Sequence, residues 1–164
     1  QKGENATARL DGLALIGDRQ LADTHTSIDH TVPHCRSEQL HKTIVGDASH
    51  AVFNGKICVR PGAQQTDSSQ SSRNLVLSGN ARVDTKPQLE IFADDVKCAH
   101  GATVGQIDPE HLFYLKSRGL SDARARDLLT YAFAAEVILR IPVPSLVERL
   151  EFAVLARTQS GVAS

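Results

Sequence analysis

A mainly β chain ending in a small helical unit is what this sequence predicts, and three observations carry that reading. Short apolar runs separated by turn residues fill residues 1–105. A weak repeat of about 30 residues runs through them. Helix caps and apolar residues at helical spacing appear only after Gly105. Composition shifts at the same point. Nine of the 11 Gly lie in residues 1–105, whereas five of the seven aromatic residues (Phe113, Tyr114, Tyr131, Phe133 and Phe152) lie beyond it. The chain therefore divides into a strand-rich core over 1–105 and a helical domain over 106–164.

In the first part the runs are Gly12 to Ile16, Thr43 to Val45, Ala51 to Phe53, Lys56 to Val59, Asn74 to Leu77 and Gln88 to Phe92. Their length, β-branching and alternation predict strands. Leu89 and Ile91 fall on one face and Glu90 on the other, the period of two of a half-buried strand. Ile16-Gly17-Asp18 recurs as Val45-Gly46-Asp47 and Ile28 recurs as Ile57, both 29 residues on, while Leu89 follows Ile57 by 32. Such spacing with several short strands predicts stacked coils, a β-solenoid. Taken alone it fits an ordinary sandwich with chance similarity equally well. Gln64 to Ser72, rich in Gln and Ser, reads as a polar, mobile loop leaving the strands.

After the break, Asp108-Pro109-Glu110 supplies an N-cap, a Pro at the first helical position and an acid in the first turn, and Gly119 supplies a stop. Ser121 caps a second helix in which Leu128, Leu129, Ala132 and Phe133 share a face, and Pro142 ends it. Ser145 with Glu148 forms a capping box, and Leu146, Leu150, Ala153 and Val154 form the stripe of a third. One of the three runs for about 20 residues.

Charge narrows the function. Lys and Arg number 18 and Asp and Glu 19, a formal charge of −1, without the basic stripe of a nucleic-acid or membrane-surface binder. Apolar residues make up 41%, enough for a packed core. No apolar run reaches the roughly 20 residues of a membrane helix, and no secretory signal is evident. Three cysteines, Cys35, Cys58 and Cys98, make an odd set with no CxxC pair, so a reducing compartment is expected. With no Met at all, the chain reads as a piece of something longer.

The sharpest chemical feature is Lys97-Cys98-Ala99-His100-Gly101-Ala102-Thr103-Val104-Gly105. In an extended run Cys98 and His100 point to one face about 7 Å apart. Thiolate and imidazole suit iron, zinc or a cluster edge, but two ligands do not complete a site. The residues alone favour a plainer reading, a small buried Cys beside a surface His. Five of the seven His (His25, His30, His34, His41 and His50) crowd the first third. His30 and His34 have half a zinc-finger spacing but no Cys pair to match, and Asp23, His25, Asp29 and His30 suit a polar strand as well as acid–base pairs. There is no GxSxG and no GxGxxG. The one Gly-Lys step, Gly55-Lys56, has His50 where a P-loop needs Gly, so any ATPase must belong to a partner.

Longer stretches carry a resemblance. They are Asp23 to Thr31, Leu40 to Asp47, Ala51 to Ile57, Val83 to Ile91, Ala93 to Cys98 and His100 to Gly105. In this order they resemble the SufB/SufD family of iron–sulfur cluster assembly proteins, over roughly residues 10–157. His100-Gly101-Ala102-Thr103 is similar to the SufD branch, where SufB is expected to carry a Glu-His-Glu-Ala-type stretch. The chain resembles the C-terminal part of such a protein.

The resemblance implies a right-handed parallel β-helix followed by a small α-helical C-terminal domain. It implies a non-catalytic scaffold that pairs with a SufB-like paralogue, or with its own copy, through the β-helix ends, and that binds the SufC ABC-type ATPase through its helices. A nascent cluster or iron is expected at the paired interface, with no intrinsic cofactor, no nucleic acid and no membrane. The family's interface His falls on His100, with Cys98 beside it as the weaker candidate. Phe113, Tyr114 and Arg118 are the candidate ATPase contacts. Packing of Phe113 against the strands, and dipole compensation by Arg118, are the plainer roles. The setting is cytoplasmic, or the plastid stroma if the source is eukaryotic.

Two other classes fit the sequence less well. A β-helix carbohydrate enzyme needs clustered Asp and stacking aromatics, yet residues 1–105 hold two Phe and no Trp or Tyr. A left-handed β-helix acyltransferase needs sustained six-residue repeats, which residues 10–60 lack.

Overall fold

The computed structural model describes residues 1–159, in which seven strands precede three helices. The strands are β1 (Thr7–Ile16), β2 (Leu21–His30), β3 (Arg36–Val45), β4 (His50–Val59), β5 (Asp67–Val76), β6 (Arg82–Ile91) and β7 (Lys97–Gly105). Odd strands form one sheet in the order β1-β3-β5-β7, even strands form a second in the order β2-β4-β6, and every pairing is parallel. The chain therefore winds as a parallel solenoid of about three turns, two ten-residue strands to each full coil. Coils of this shape exclude the six-residue faces of an acyltransferase-type helix.

The sequence repeat is the register of this winding. Ile16 pairs with Val45, Ile28 with Ile57, and Ile57 with Leu89. The repeated Gly-Asp step is the corner. Asp18 and Asp47 stand at φ 53° and 51°, the left-handed region that Asp tolerates better than most residues, and the Asp18 N–H donates to Asp47 Oδ2 at 2.6 Å.

Sheets meet over an interior that is apolar near one edge and polar across the middle. Ile28, Ile57, Val59, Ala63 and Ala93 form the apolar cluster, with Leu89, Val96 and Cys98 against it. The polar ranks correct the expectation that Gln64 to Ser72 is a loop. Asp67–Val76 is strand β5, and Ser68, Gln70 and Ser72 are buried. Their polarity is satisfied across coils: Ser37 Oγ lies 2.7 Å from Ser68 Oγ, and Gln70 Nε2 donates to Gln39 Oε1 at 2.7 Å. Polar side chains that meet identical neighbours one coil away form ladders inside the strand stack.

The outer face of the odd sheet carries the helices α1 (Pro109–Ser117), α2 (Asp122–Ile138) and α3 (Pro144–Gln159). Ile44 and Leu75 pack with Ala134, Ile138 and Val154 in a second apolar cluster. Full burial of an Ile contributes about 1.5–3 kcal/mol, against about 0–1 kcal/mol for an exposed ion pair. The apolar cluster therefore docks the helices, and rim pairs such as Arg140 with Glu38 (2.5 Å) trim the fit. Lys42 is the polar exception: it is buried, its Nζ donates to Phe133 O at 2.9 Å and pairs with Glu136, and it lies 4.1 Å from the centre of the Phe133 ring.

Helix α1 starts as its sequence predicts. Asp108 accepts from the Glu110 N–H, Pro109 opens the helix, and Gly119 follows it at φ 94°. Ser121 caps α2, accepting from the Arg124 N–H, and the helix runs 17 residues. Its expected face is corrected. Ala125, Thr130, Ala134, Ala135, Val137 and Ile138 are buried, while Leu128 and Ala132 are exposed and Leu129 and Phe133 are half-buried, because small residues let α2 approach its neighbours closely. In α3 the helix begins at Pro144, one residue before the predicted cap, so Ser145 lies inside it. Its inward stripe is Val147, Leu150, Val154 and Thr158, with Leu146 and Ala153 exposed. Among the described residues no helix is long and apolar enough to cross a membrane.

Candidate functional site at the open end of the solenoid

The odd sheet has four strands and the even sheet three, so β7 extends past the last even strand. It pairs with β5 on one side only, and every residue of β7 except Cys98 is exposed. For the same reason Ile91, read from sequence as inward, is 42% exposed at the end of β6. An unpaired strand edge presents free backbone donors and acceptors to another chain.

Both candidate ligands lie on this strand. Cys98 is in register with Ser68 and packs half-buried on the Ile28 cluster. Burial, and then the Asp67 carboxylate, push its thiol above the usual range, only partly offset by a hydrogen bond involving the Ser68 backbone. It is therefore a protonated thiol at neutral pH, and binding a metal would have to expel the proton. His100, two residues on, is exposed and in register with Gln70. No group of three or more His, Cys, Asp or Glu among the described residues could hold a metal ion. The chain alone thus brings two candidate ligands to this end, too few for a tetrahedral site.

The remaining His serve the scaffold. His30 is buried with Nε2 2.9 Å from Ser37 Oγ, and His41 is buried and stacked on Phe53 at 4.4 Å. His50 pairs with Asp84 at 2.7 Å and His25 with Asp23 at 2.9 Å, and His34 occupies a left-handed turn at φ 60°. Asp29 pairs with Arg60 at 2.9 Å. His30 and His34 do not converge on a zinc-finger half.

A second exposed feature is α1. None of its residues is buried; Phe113 is 74% and Tyr114 56% exposed. The expectation that Phe113 packs on the strands is thereby corrected: Ile107, just before α1, takes the place against the second cluster instead. Arg118 ends the helix, its backbone N–H donating to Tyr114 O and Leu115 O, and its guanidinium lies 5.3 Å from the centre of the Tyr114 ring. Sequence reasoning missed the Lys42–Glu136 pair and the Gln39–Gln70 ladder. Only the 31-residue register of β3 on β5 could have shown the ladder.

The family model described as SUF system FeS cluster assembly, SufBD core domain, matches residues 1–133. The chain is 53% identical over 135 residues to "Iron-sulfur cluster assembly protein SufD" of Escherichia coli, covering 82% of this chain and 32% of that protein. It is 48% identical over 158 residues to an iron–sulfur cluster assembly SufBD family protein of Synechocystis, covering 96% of this chain and 35% of that protein. It is 40% identical over 143 residues to "Protein ABCI7, chloroplastic" of Arabidopsis thaliana, covering 87% and 30%. The chain thus spans about a third of the length of these relatives. A family match over most of its residues, with identity to SufD above half, shows that the chain belongs to the SufBD core-domain family, on its SufD branch.

Proposed function

We propose that this chain serves iron–sulfur cluster assembly as a scaffold and not as an enzyme. It pairs with a SufB-like paralogue, or a second copy of itself, across the open end of the solenoid, and it carries a SufC-like ABC-type ATPase on its helices. The observation that supports this most is the unequal length of the two sheets, which leaves β7 with a free edge and a two-ligand set on it. A partner strand can add to that edge through main-chain hydrogen bonds. Iron or a nascent cluster, as cargo, then takes His100 and Cys98 from this chain and its other ligands from the partner, so the site exists only while the two are joined. Bacterial and chloroplastic relatives support a bacterial cytoplasm or a plastid stroma as the setting.

For the ATPase, Phe113 and Tyr114 offer exposed aromatic anchors of the kind that dominate interface energetics. Arg118, already stacked on Tyr114, is partly ordered before binding.

Co-elution on a sizing column tests the reading. The folded chain is mixed with the SUF ATPase and with SufB, separately and together. A species containing all three is expected, with Phe113→Ser releasing the ATPase and retaining SufB. A folded chain that co-elutes with neither overturns the scaffold role. Cluster assembly in cells by His100→Ala at the parent's level would remove the ligand role alone.

A further inference from the structure

Inside the solenoid, one rank of side-chain amides has a direction. Gln39 Nε2 donates to Thr26 Oγ1 at 2.9 Å, and Gln70 Nε2 donates to Gln39 Oε1 at 2.7 Å. Each Gln thus donates from Nε2 to the preceding coil, while Gln39 Oε1, which Thr26 Oγ1 also approaches at 3.3 Å, accepts from the next. For Gln39 the next coil supplies Gln70. For Gln70, itself 2% exposed, Oε1 is buried and has no hydrogen-bond partner among the described residues. The residue in register with Gln70 on β7 is His100.

Gln70 does not turn over by itself while Gln39 keeps its orientation. Turning the Gln70 amide over would set its oxygen against Gln39 Oε1, acceptor against acceptor. The carboxamide also has a place made for it. A Cβ at Gly55, across the interior on β4, would overlap Gln70 Nε2 and crowd Phe53 Cζ, so Gly55 is the residue that admits Gln70. Along the alternate positions Cys98, His100, Ala102 and Val104 of β7, His100 has the only strong side-chain donor. Buried carbonyl oxygens are rarely left unpaired, and an imidazole that ligates a metal through one nitrogen commonly donates the other N–H to such an oxygen.

We propose that His100 donates one ring N–H to Gln70 Oε1, so that Gln70 is a positioning residue that fixes the tautomer of His100 and turns its second nitrogen out of the open end. This rests on the reading of His100 as a ligand there, and supplies what that reading needs: a lone pair held in one direction before the partner arrives.

The test is nitrogen-15 NMR of the whole chain labelled at histidine, at alkaline pH where the imidazoles are neutral. The His100 signals are identified by their loss in His100→Asn. Two distinct ring-nitrogen shifts, one protonated and one bare, are expected for His100. They should move to the population-weighted values of freely exchanging tautomers in Gln70→Leu. Population-averaged shifts in the parent overturn the proposal without any variant having to fold, and so do single-tautomer limiting shifts that survive Gln70→Leu. Because no metal is present in the measurement, the ligand reading stands or fails separately, on the cellular activity of His100→Ala.

Discussion

Replacing Glu136 by Gln should destabilise the chain more than replacing Lys42 by Met, although Lys42 is the buried member of the pair. The side chain of Lys42 is 2% exposed and that of Glu136 45%. Removing the carboxylate strands a buried ammonium, which keeps Phe133 O, the Phe133 ring and a neutral amide oxygen in place of its counter-charge. Stripping a buried ion of its partner costs about 3–5 kcal/mol. Water reaches the half-exposed site of Glu136 and these contacts to Lys42 remain, so about 1–3 kcal/mol is expected. Lys42→Met instead leaves a carboxylate that still has Arg73 at 2.9 Å and solvent. A long apolar side chain in a buried ionic position is often neutral, so a loss of about 1 kcal/mol or less is expected, most of it the ring contact. The double variant should resemble Lys42→Met alone, a strong departure from additivity. Urea unfolding of the four proteins measures this, and the thermal midpoint should fall by roughly 2–4 °C per kcal/mol. The Lys42 hydrogen bond, partly opposed by burial, holds the Glu136 carboxyl below its ordinary 4.5. Its contribution is therefore complete above that value and is lost as pH falls through the lower folded one. A larger loss from Lys42→Met than from Glu136→Gln, or a double variant equal to the sum of the singles, would refute the reasoning.

Burial lowers His30 and His41 below the ordinary 6.5. The unfolded chain therefore binds more protons below that value, stability should fall as pH drops through it, and His41→Phe should flatten the urea-midpoint profile; a parent profile already flat there would contradict this. Gly12→Ala should cost about 1–3 kcal/mol, since the new Cβ would overlap the buried His41 ring stacked on Phe53; a thermal midpoint at the parent's value would show that the ring moves freely. Thiol alkylation of the native chain at neutral pH should be slow at Cys98 and slower still at the buried Cys35 and Cys58, with Cys98 accelerating as pH rises. Peptide mapping that shows fast neutral labelling of Cys98 would mean that Asp67 and burial do not govern it. Phe113→Ser should change stability by less than about 0.5 kcal/mol, and a larger drop would show that the ring is packed.

The repeat could be read because register and repeat are the same quantity here: Ile16 recurs at Val45 because they are paired neighbours. The caps of α1 and α2 could be read because Asp108 and Ser121 act on backbone within three residues. What could not be read depends on distant partners. β5 looks like a loop until Ser37 and Gln39, 31 residues earlier, supply the other half of its hydrogen bonds. The buried face of α2 is not legible locally because burial there follows small Ala residues against the strands, whereas local hydrophobicity points to Leu128. At the site, alternation brought Cys98 and His100 together, but the Lys42–Glu136 contact spans 94 residues and leaves no local trace.

A stack of coils in which each touches only its neighbours would fray from both ends, one rung at a time. Here α2 lies across β1 and β3, Arg140 reaches back to Asp11 and Glu38, and Arg157 reaches Gln20. The helices are thus strapped over β1 and β3, and these strands cannot peel away without unseating them. The strap couples strands that a one-dimensional ladder would leave independent. β7 lies outside it: it pairs with β5 alone and touches β6 and the Ile28 cluster more lightly. Amide hydrogens should exchange soonest there, so the strand offered to a partner is also the one whose local opening costs the rest of the fold least.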